Sequence, residues 1–252
     1  MKRKLILLTA LFLLVPGLVF SDVVSFKVGY FIPRAQSDLW EIELEQMTFN
    51  KSNFQNTNFC FAYEYFLTRQ ISAVIGIDSY SKNKVGNYID LVGYSFIDGE
   101  FAYPDDYEGE FVPSHVFSVS ITPIQLSLKL TPMGRQDKII PYVGGGVGVY
   151  VWTVRLQGDM VDFSDEYWDI DENIPVYPIY FTDARAENRI AFGYHVFGGI
   201  MIPFARRITL DVQFKYNVAK GNFSDDPGSG FEGFEAFDLG GYQISAGINY
   251  WF

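Results

Sequence analysis

Two histidines, His115 and His195, and one cysteine, Cys60, stand among 252 residues, so acid–base, nucleophilic and thiolate chemistry have few places to occur. A His–Ser relay needs ring and hydroxyl within hydrogen-bond reach. In His115-Val-Phe-Ser118 the two lie three positions apart, and in a strand an odd spacing turns them to opposite faces. The adjacent carboxylates Asp105-Asp106 and Asp225-Asp226 read as solvated loop residues, because a catalytic carboxylate pair needs environments that separate their acidities. Asp169-Ile-Asp-Glu-Asn173 begins like a calcium loop, but Ile174 stands where the turn glycine belongs and Tyr180 where the bidentate Glu belongs. A lone cysteine forms no internal disulfide framework and no Cys-rich zinc or iron–sulfur site, so Cys60 is expected to be a small packing residue. The expectation is a non-enzyme with no catalytic residue, no cofactor and no dedicated metal site.

A second set of ionisable residues is more informative. Lys27, Glu64, Asp78, Lys129, His195, Asp211 and Lys215 each sit on the minority face of a stretch whose alternate positions are apolar. Charges enclosed by such stretches must be paired, because burying an isolated charge is prohibitive. Equal numbers of Lys and Asp/Glu among them predict a structural lumen network. Lys27 is expected to pair with Glu64 on the adjacent stretch, and Lys215 to neighbour His195. Phe31, Phe66, Phe197, Tyr150 and Trp152 are expected to share that interior.

The elements that position these residues follow from period-two alternation, which marks half-buried strands. Eight such stretches occur: Val23–Pro33, Thr57–Leu67, Ile71–Tyr80, His115–Thr131, Ile139–Leu156, Ile190–Ile202, Ile208–Val218 and Tyr242–Phe252. In the fourth, Phe117, Val119 and Ile121 share one parity while Ile124, Leu126, Leu128 and Leu130 share the other. A β-bulge at Thr122-Pro123 is the expected cause. In the fifth, Val143, Val147, Val149 and Val151 define the apolar face, which turns Gly144, Gly146 and Gly148 inward. Turn-sized gaps at Thr68–Gln70, Pro132–Lys138 and Pro203–Arg206 alternate with gaps several times longer. The predicted fold is all-β, an eight-stranded antiparallel up-and-down transmembrane β-barrel with short periplasmic turns and four long extracellular loops. Eight strands leave room only for side chains, so a wide aqueous pore is not expected. The apolar residues are expected to form a lipid-facing belt, with no need of a large internal core.

Residues Met1–Ser21 read as a cleaved secretory signal: Lys2, Arg3 and Lys4 precede an apolar run from Leu5 to Phe20, broken at Pro16-Gly17. One barrel domain, 22–252, is then expected, with no periplasmic domain after Phe252. The whole chain has a formal charge of −11, with 45 aromatic residues and 48% hydrophobic residues, which excludes disorder and broad nucleic-acid affinity. The acidity is uneven. Arg34–Asn56, Lys82–Ser114, Gln157–Asn188 and Lys220–Leu239 carry −2, −5, −8 and −4, whereas Arg69, Arg135, Lys138, Arg206 and Arg207 lie in the short turns. Acidic loops would attract cations, and divalent ions could bridge them to lipopolysaccharide phosphates.

The segments Phe26-Lys-Val-Gly-Tyr-Phe-Ile-Pro33, Pro141-Tyr-Val-Gly-Gly-Gly-Val-Gly148 and Gly241-Tyr-Gln-Ile-Ser-Ala-Gly-Ile-Asn-Tyr-Trp-Phe252, with the signal, resemble a Gram-negative outer-membrane barrel of the small OmpA/OmpW-like class. Gly247, Ile248, Tyr250 and Phe252 are similar to the C-terminal assembly signal of such barrels. The resemblance implies an outer-membrane location and a monomer. It implies as partners membrane lipid, lipopolysaccharide, the barrel-assembly machinery and periplasmic chaperones. The function it implies is a structural or surface-interaction role through the acidic loops, or alternatively an OmpW-like channel for small or hydrophobic solutes. The His-x-Ser arrangement of lipid A deacylases is not matched, and omptin proteases have ten strands.

Overall fold

The structure, a computed structural model, describes residues 22–134, 138–169, 174–224 and 230–252. The expected signal at 1–21, Arg135, Asp225-Asp226 and most of the Asp169–Asn173 segment lie outside the described residues. The first strands are β1 (Val23–Pro33), β2 (Asn56–Phe66), β3 (Ile71–Asn87), β4 (Leu91–Phe96), β5 (Gly99–Pro104) and β6 (Ser114–Leu130). They are followed by β7 (Ile140–Val161), β8 (Tyr167–Asp169), β9 (Ile174–Ala205), β10 (Ile208–Gly221), β11 (Phe237–Asp238) and β12 (Gly241–Trp251). One helix, α1 (Asp38–Gln46), and a 3-10 turn, Lys51–Phe54, follow β1.

Strands β1, β2, β3, β6, β7, β9, β10 and β12 pair antiparallel in that order, and β12 returns to β1, so the sheet closes into the expected eight-stranded barrel. Closure leaves the wall without an edge strand. The outward faces carry the alternating apolar residues: Phe26 and Val28 on β1, Leu126 and Leu128 on β6, Val143 and Val147 on β7, and Phe192 on β9, at 78% exposure, are all open to the surroundings. A continuous exposed belt of this size is unsustainable in water and fits hydrocarbon.

Three expectations change. The wall has no bulge at Thr122-Pro123: β6 keeps odd residues inward throughout, and its register with β3 and β7 runs without a shift. The polarity switch has another cause. Phe117, Val119 and Ile121 point inward like Gln125, Ser127 and Lys129, but into an apolar upper interior instead of a polar lower one.

The long segments are also not open loops. Gln157–Asn188 is largely strand, because β7 and β9 continue beyond the belt as a paired hairpin to Val161 and Ile179. From Lys82–Ser114, β3 runs on to Asn87, and the β4–β5 hairpin adds itself to β9 through Ala102 and Tyr177. Finally, Arg34–Asn56 folds α1, whose first turn carries Asp38 and Glu41, favourable at a helix N-terminus. Leu39, Trp40 and Glu43 form its buried face. A substantial internal core therefore exists, where the expectation was that no large one is needed.

Candidate functional site

The interior has two storeys. The lower one holds all seven ionisable residues singled out in the sequence, each buried. Lys27 Nζ lies 2.7 Å from Asp211 Oδ2, Lys129 Nζ 2.8 Å from Glu64 Oε2, and Lys215 Nζ 2.7 Å from Asp78 Oδ2. His195 Nε2 is 2.7 Å from Ser127 Oγ. The expected interior network exists, but the expected Lys27–Glu64 pair does not form.

Strand register explains this. Lys27 pairs with Cys60 on β2, while Glu64 pairs with Val23, four residues down the strand and about 13 Å away at strand rise. The row through Lys27 reads Asp211, Gly247, Lys27, Cys60, Asp78 across five strands. Lys27 thus has an aspartate two strands away on either side. Gly247 offers no side chain in one direction, whereas the Cys60 sulfur fills the other. The lysine crosses over the glycine to Asp211. A Cβ on Gly247 would sit 2.5 Å from Lys27 Cα and 2.0 Å from Phe26 O.

The same device sets His195. Its row reads His195, Gly146, Ser127, and the histidine reaches Ser127 across Gly146. Lys215 is level with Phe197, one inward position from His195 on the neighbouring strand, and bonds to Asp78 and, at 2.9 Å, to Gln125 Oε1.

Neutral groups complete the lower storey. Tyr142 donates to Asp211 Oδ1 at 2.6 Å, and its ring lies 4.2 Å below Lys129 Nζ. Gln125 Nε2 donates to Asn217 Oδ1 at 2.8 Å. Three ammonium groups against three carboxylates leave no net charge. The open space among them is about 50 Å³, enough for a few waters and too small for a solute.

The upper storey is an aromatic plug, which the sequence reading missed. Trp40 of α1 packs edge-on to Phe54 and Phe117, each at 5.0 Å, and stacks on Phe237 at 5.3 Å. Phe237 in turn stacks on the inward Trp152 at 6.0 Å. Polar clamps hold the plug. Trp40 Nε1 donates to Asp238 O at 3.1 Å, and Glu43 Oε2 meets His115 Nε2 at 2.7 Å. Arg34 donates bidentately to Asp238 at 2.7 and 2.9 Å, which, with the Tyr216 hydroxyl, holds its guanidinium well above the ordinary arginine range. Burial pushes the Tyr88 hydroxyl up to about 12. The available signal was apolar residues inside a supposed loop: Leu39, Trp40, Met47, Phe49 and Phe54 are all buried.

The acidic segments crown the same end. Among the described residues no three His, Cys, Asp or Glu side chains converge as a metal site. Asp183 is bound by Arg155 at 2.7 and 2.9 Å, which holds its carboxyl below the usual range. Of the C-terminal residues, Ile248, Tyr250 and Phe252 are exposed on the belt, and Gly247 faces inward.

No known protein family matches the sequence, and no curated protein is similar to it at the sequence level. Solved structures similar to the chain include the outer membrane protein OprG from Pseudomonas aeruginosa, 12% identical, covering 92% of this chain and 95% of that one, with a TM-score of 0.49. Neisserial surface protein A is 13% identical over 92% of this chain and 97% of its own, with a TM-score of 0.48. Ail, the attachment invasion locus protein of Yersinia pestis, is 10% identical over 92% and 100%, with a TM-score of 0.42. What the chain itself establishes is an eight-stranded membrane barrel with a filled interior.

Proposed function

We propose that the protein is a barrel of the bacterial outer membrane, closed to solutes, whose acidic crown serves a structural or surface-interaction role. The filled interior carries this reading: three ion pairs occupy the lower storey, and a core centred on Trp40 occupies the upper one. Two of the crown's four acidic segments, around the β4–β5 hairpin and the β7–β9 extension, are held on paired strands instead of open loops. Surrounding lipid, lipopolysaccharide and divalent cations are its proposed neighbours. The exposed Ile248, Tyr250 and Phe252 suit handling by chaperones and the assembly machinery. Nothing in the chemistry above calls for an enzyme.

An OmpW-like route sideways through the wall has one observation in its favour. Between the pairs Ile77–Ile124 and Tyr80–Ile121, where Pro123 lacks a backbone N–H, no residues of β3 and β6 are paired. Behind that point, however, only about 10 Å³ is open, among Tyr80, Ile121 and Tyr150. The closed reading therefore stands ahead. Purified protein in planar bilayers is expected to give no large conductance steps, and a deletion strain is expected to take up small and apolar solutes normally. Stepwise conductance, or an uptake defect restored by the gene, overturns the closed reading in favour of the channel.

A further inference from the structure

The β4–β5 hairpin carries its rings on the side away from the core. The pairs Val92–Tyr103, Tyr94–Phe101 and Phe96–Gly99 share one face. On the opposite face Ala102 is fully buried, and the Phe111 ring covers Gly93, where a Cβ would lie 2.4 Å from Phe111 Cζ. The open face is a continuous run of ring contacts: Tyr103 to Tyr94 at 4.9 Å, Tyr94 to Phe96 at 6.3 Å, Phe96 to Phe101 at 5.9 Å and Phe101 to Tyr167 at 6.0 Å. Phe96 and Tyr167 are 52% and 49% exposed, and Ile97, at the hairpin tip, is fully exposed. Membrane lipid does not cover this face. Val151 pairs with Ile190 at the top of the belt, and Val161 pairs with Ile179 ten residues higher on β7, about 33 Å of strand length. Strand β5 joins β9 at that upper level. An apolar patch held in water at such a height marks a contact surface.

Charge decides what fits it. The Tyr103 hydroxyl donates to Asp169 at 3.3 Å and the Tyr167 hydroxyl to Asp165 at 3.1 Å, so carboxylates stand against the rings. Between Lys84 and Lys129 the chain has seven acidic residues and no basic one; between Arg155 and Arg185 it has eight and none. A second copy of this face, or a phosphate-bearing surface, would bring like charges together. A saccharide chain lies along coplanar ring faces, and consecutive rings here are inclined by 34–87°. A bare metal cation uses the carboxylates and leaves the rings in water. A guanidinium uses both, its plane on a ring and its N–H fork on a carboxylate. We propose that this hairpin face docks an arginine-bearing, partly apolar polypeptide segment, with guanidinium groups between the rings and the carboxylate rim and apolar side chains on Phe96 and Ile97. The proposal deepens the surface-interaction reading above and rests on it.

The test titrates the mature chain, in nanodiscs of zwitterionic lipid, with a short fluorescent peptide of alternating Arg and Leu. The same peptide with citrulline for Arg, which keeps the shape and removes the charge, and maltoheptaose are compared, and empty nanodiscs give the blank. Wild type is expected to bind the Arg peptide about tenfold more tightly than the citrulline peptide, the order of one or two cation–π contacts. The double variant Phe96→Ser, Ile97→Ser keeps the charge and is expected to weaken Arg-peptide binding about tenfold. Asp98→Lys is expected to weaken it about fivefold, and Glu45→Lys, the same change of charge at an exposed position of α1, less than about twofold at physiological salt. Gel mobility of the unheated protein checks that each variant is folded. The proposal is overturned if wild type binds neither peptide above the blank, if it binds both equally, or if the folded double variant binds as wild type does. It is overturned too if Glu45→Lys weakens binding as much as Asp98→Lys, which marks diffuse acidity, or if maltoheptaose binds in place of the peptide. Labelling of Asp98→Cys on intact cells with a membrane-impermeant maleimide tests the location separately. A barrel labelled on cells that fails the titration loses the partner and keeps the surface reading; labelling only after purification removes the surface reading itself.

Discussion

Replacing Lys129 by Met removes one charge from the lower storey while keeping the bulk of the side chain. Its ammonium lies 2.8 Å from Glu64 Oε2, and both side chains are less than a tenth exposed. The gross attraction of unit charges at that distance is about 6 kcal/mol at an effective dielectric of about 20. Most of it offsets the desolvation of both ions. What the variant loses is compensation: Glu64 stays buried with only the Ser72 hydroxyl to bind it. The contact between the ammonium and the Tyr142 ring is lost as well. Breaking a buried pair from one side costs about 3–5 kcal/mol, and the few waters the interior admits place the expected value near 3 kcal/mol. The double variant Glu64→Gln, Lys129→Met is expected to recover to within about 1 kcal/mol of wild type, because no charge is then left unpaired. Equilibrium urea unfolding in lipid vesicles, followed by tryptophan fluorescence, measures all three. A single variant that loses less than about 1 kcal/mol, or a double variant no better than the single, refutes the reasoning.

Gly146→Ala is expected to destabilise by about 1–3 kcal/mol, since its Cβ would lie 2.0 Å from Leu126 O, whereas Gly76→Ala, with nothing nearer than 3.5 Å, should stay within about 0.5 kcal/mol; equal effects in the same urea assay would count against the packing argument. Trp40→Ala should cost the plug about 3–5 kcal/mol and expose 34–56 to protease while the barrel persists, and an unchanged digestion pattern would contradict a plug centred on that ring. Arg155→Ala should raise the Asp183 carboxyl back toward about 3.9, read by NMR titration. Because the folded value is depressed, the pair's contribution is present above the unfolded value and fades as pH falls through the folded one, and an unmoved midpoint would show that Arg155 is not the cause.

The barrel was legible because its signal is local. Alternation along β10, from Leu210 to Tyr216, states which residues face lipid, and gap lengths state which ends are joined. All seven interior ionisable residues followed from the same parity. Their pairing did not, because parity gives a face and no height: Lys27 and Glu64 share the interior and differ by four residues in register. The plug was hidden for a different reason. Parity arguments assume that inward means polar, so Phe117, Val119 and Ile121 looked like a switch of face when the environment had switched instead. Trp40 and Phe237 come from segments 197 residues apart, and only their stacking turns two loop aromatics into a core.

The ion pair over Gly247 bears on how the ring is completed. Lys27 belongs to the first strand and Asp211 to the penultimate one of the barrel, and they meet across the last. A sheet growing from β1 to β10 holds Lys27 and Asp211 at opposite edges. They come together only when β12 docks on both neighbours at once. Until then each charge faces the water-filled side of an open sheet. The contact thus rewards only the finished ring, and a glycine in the final strand is what makes that finish possible.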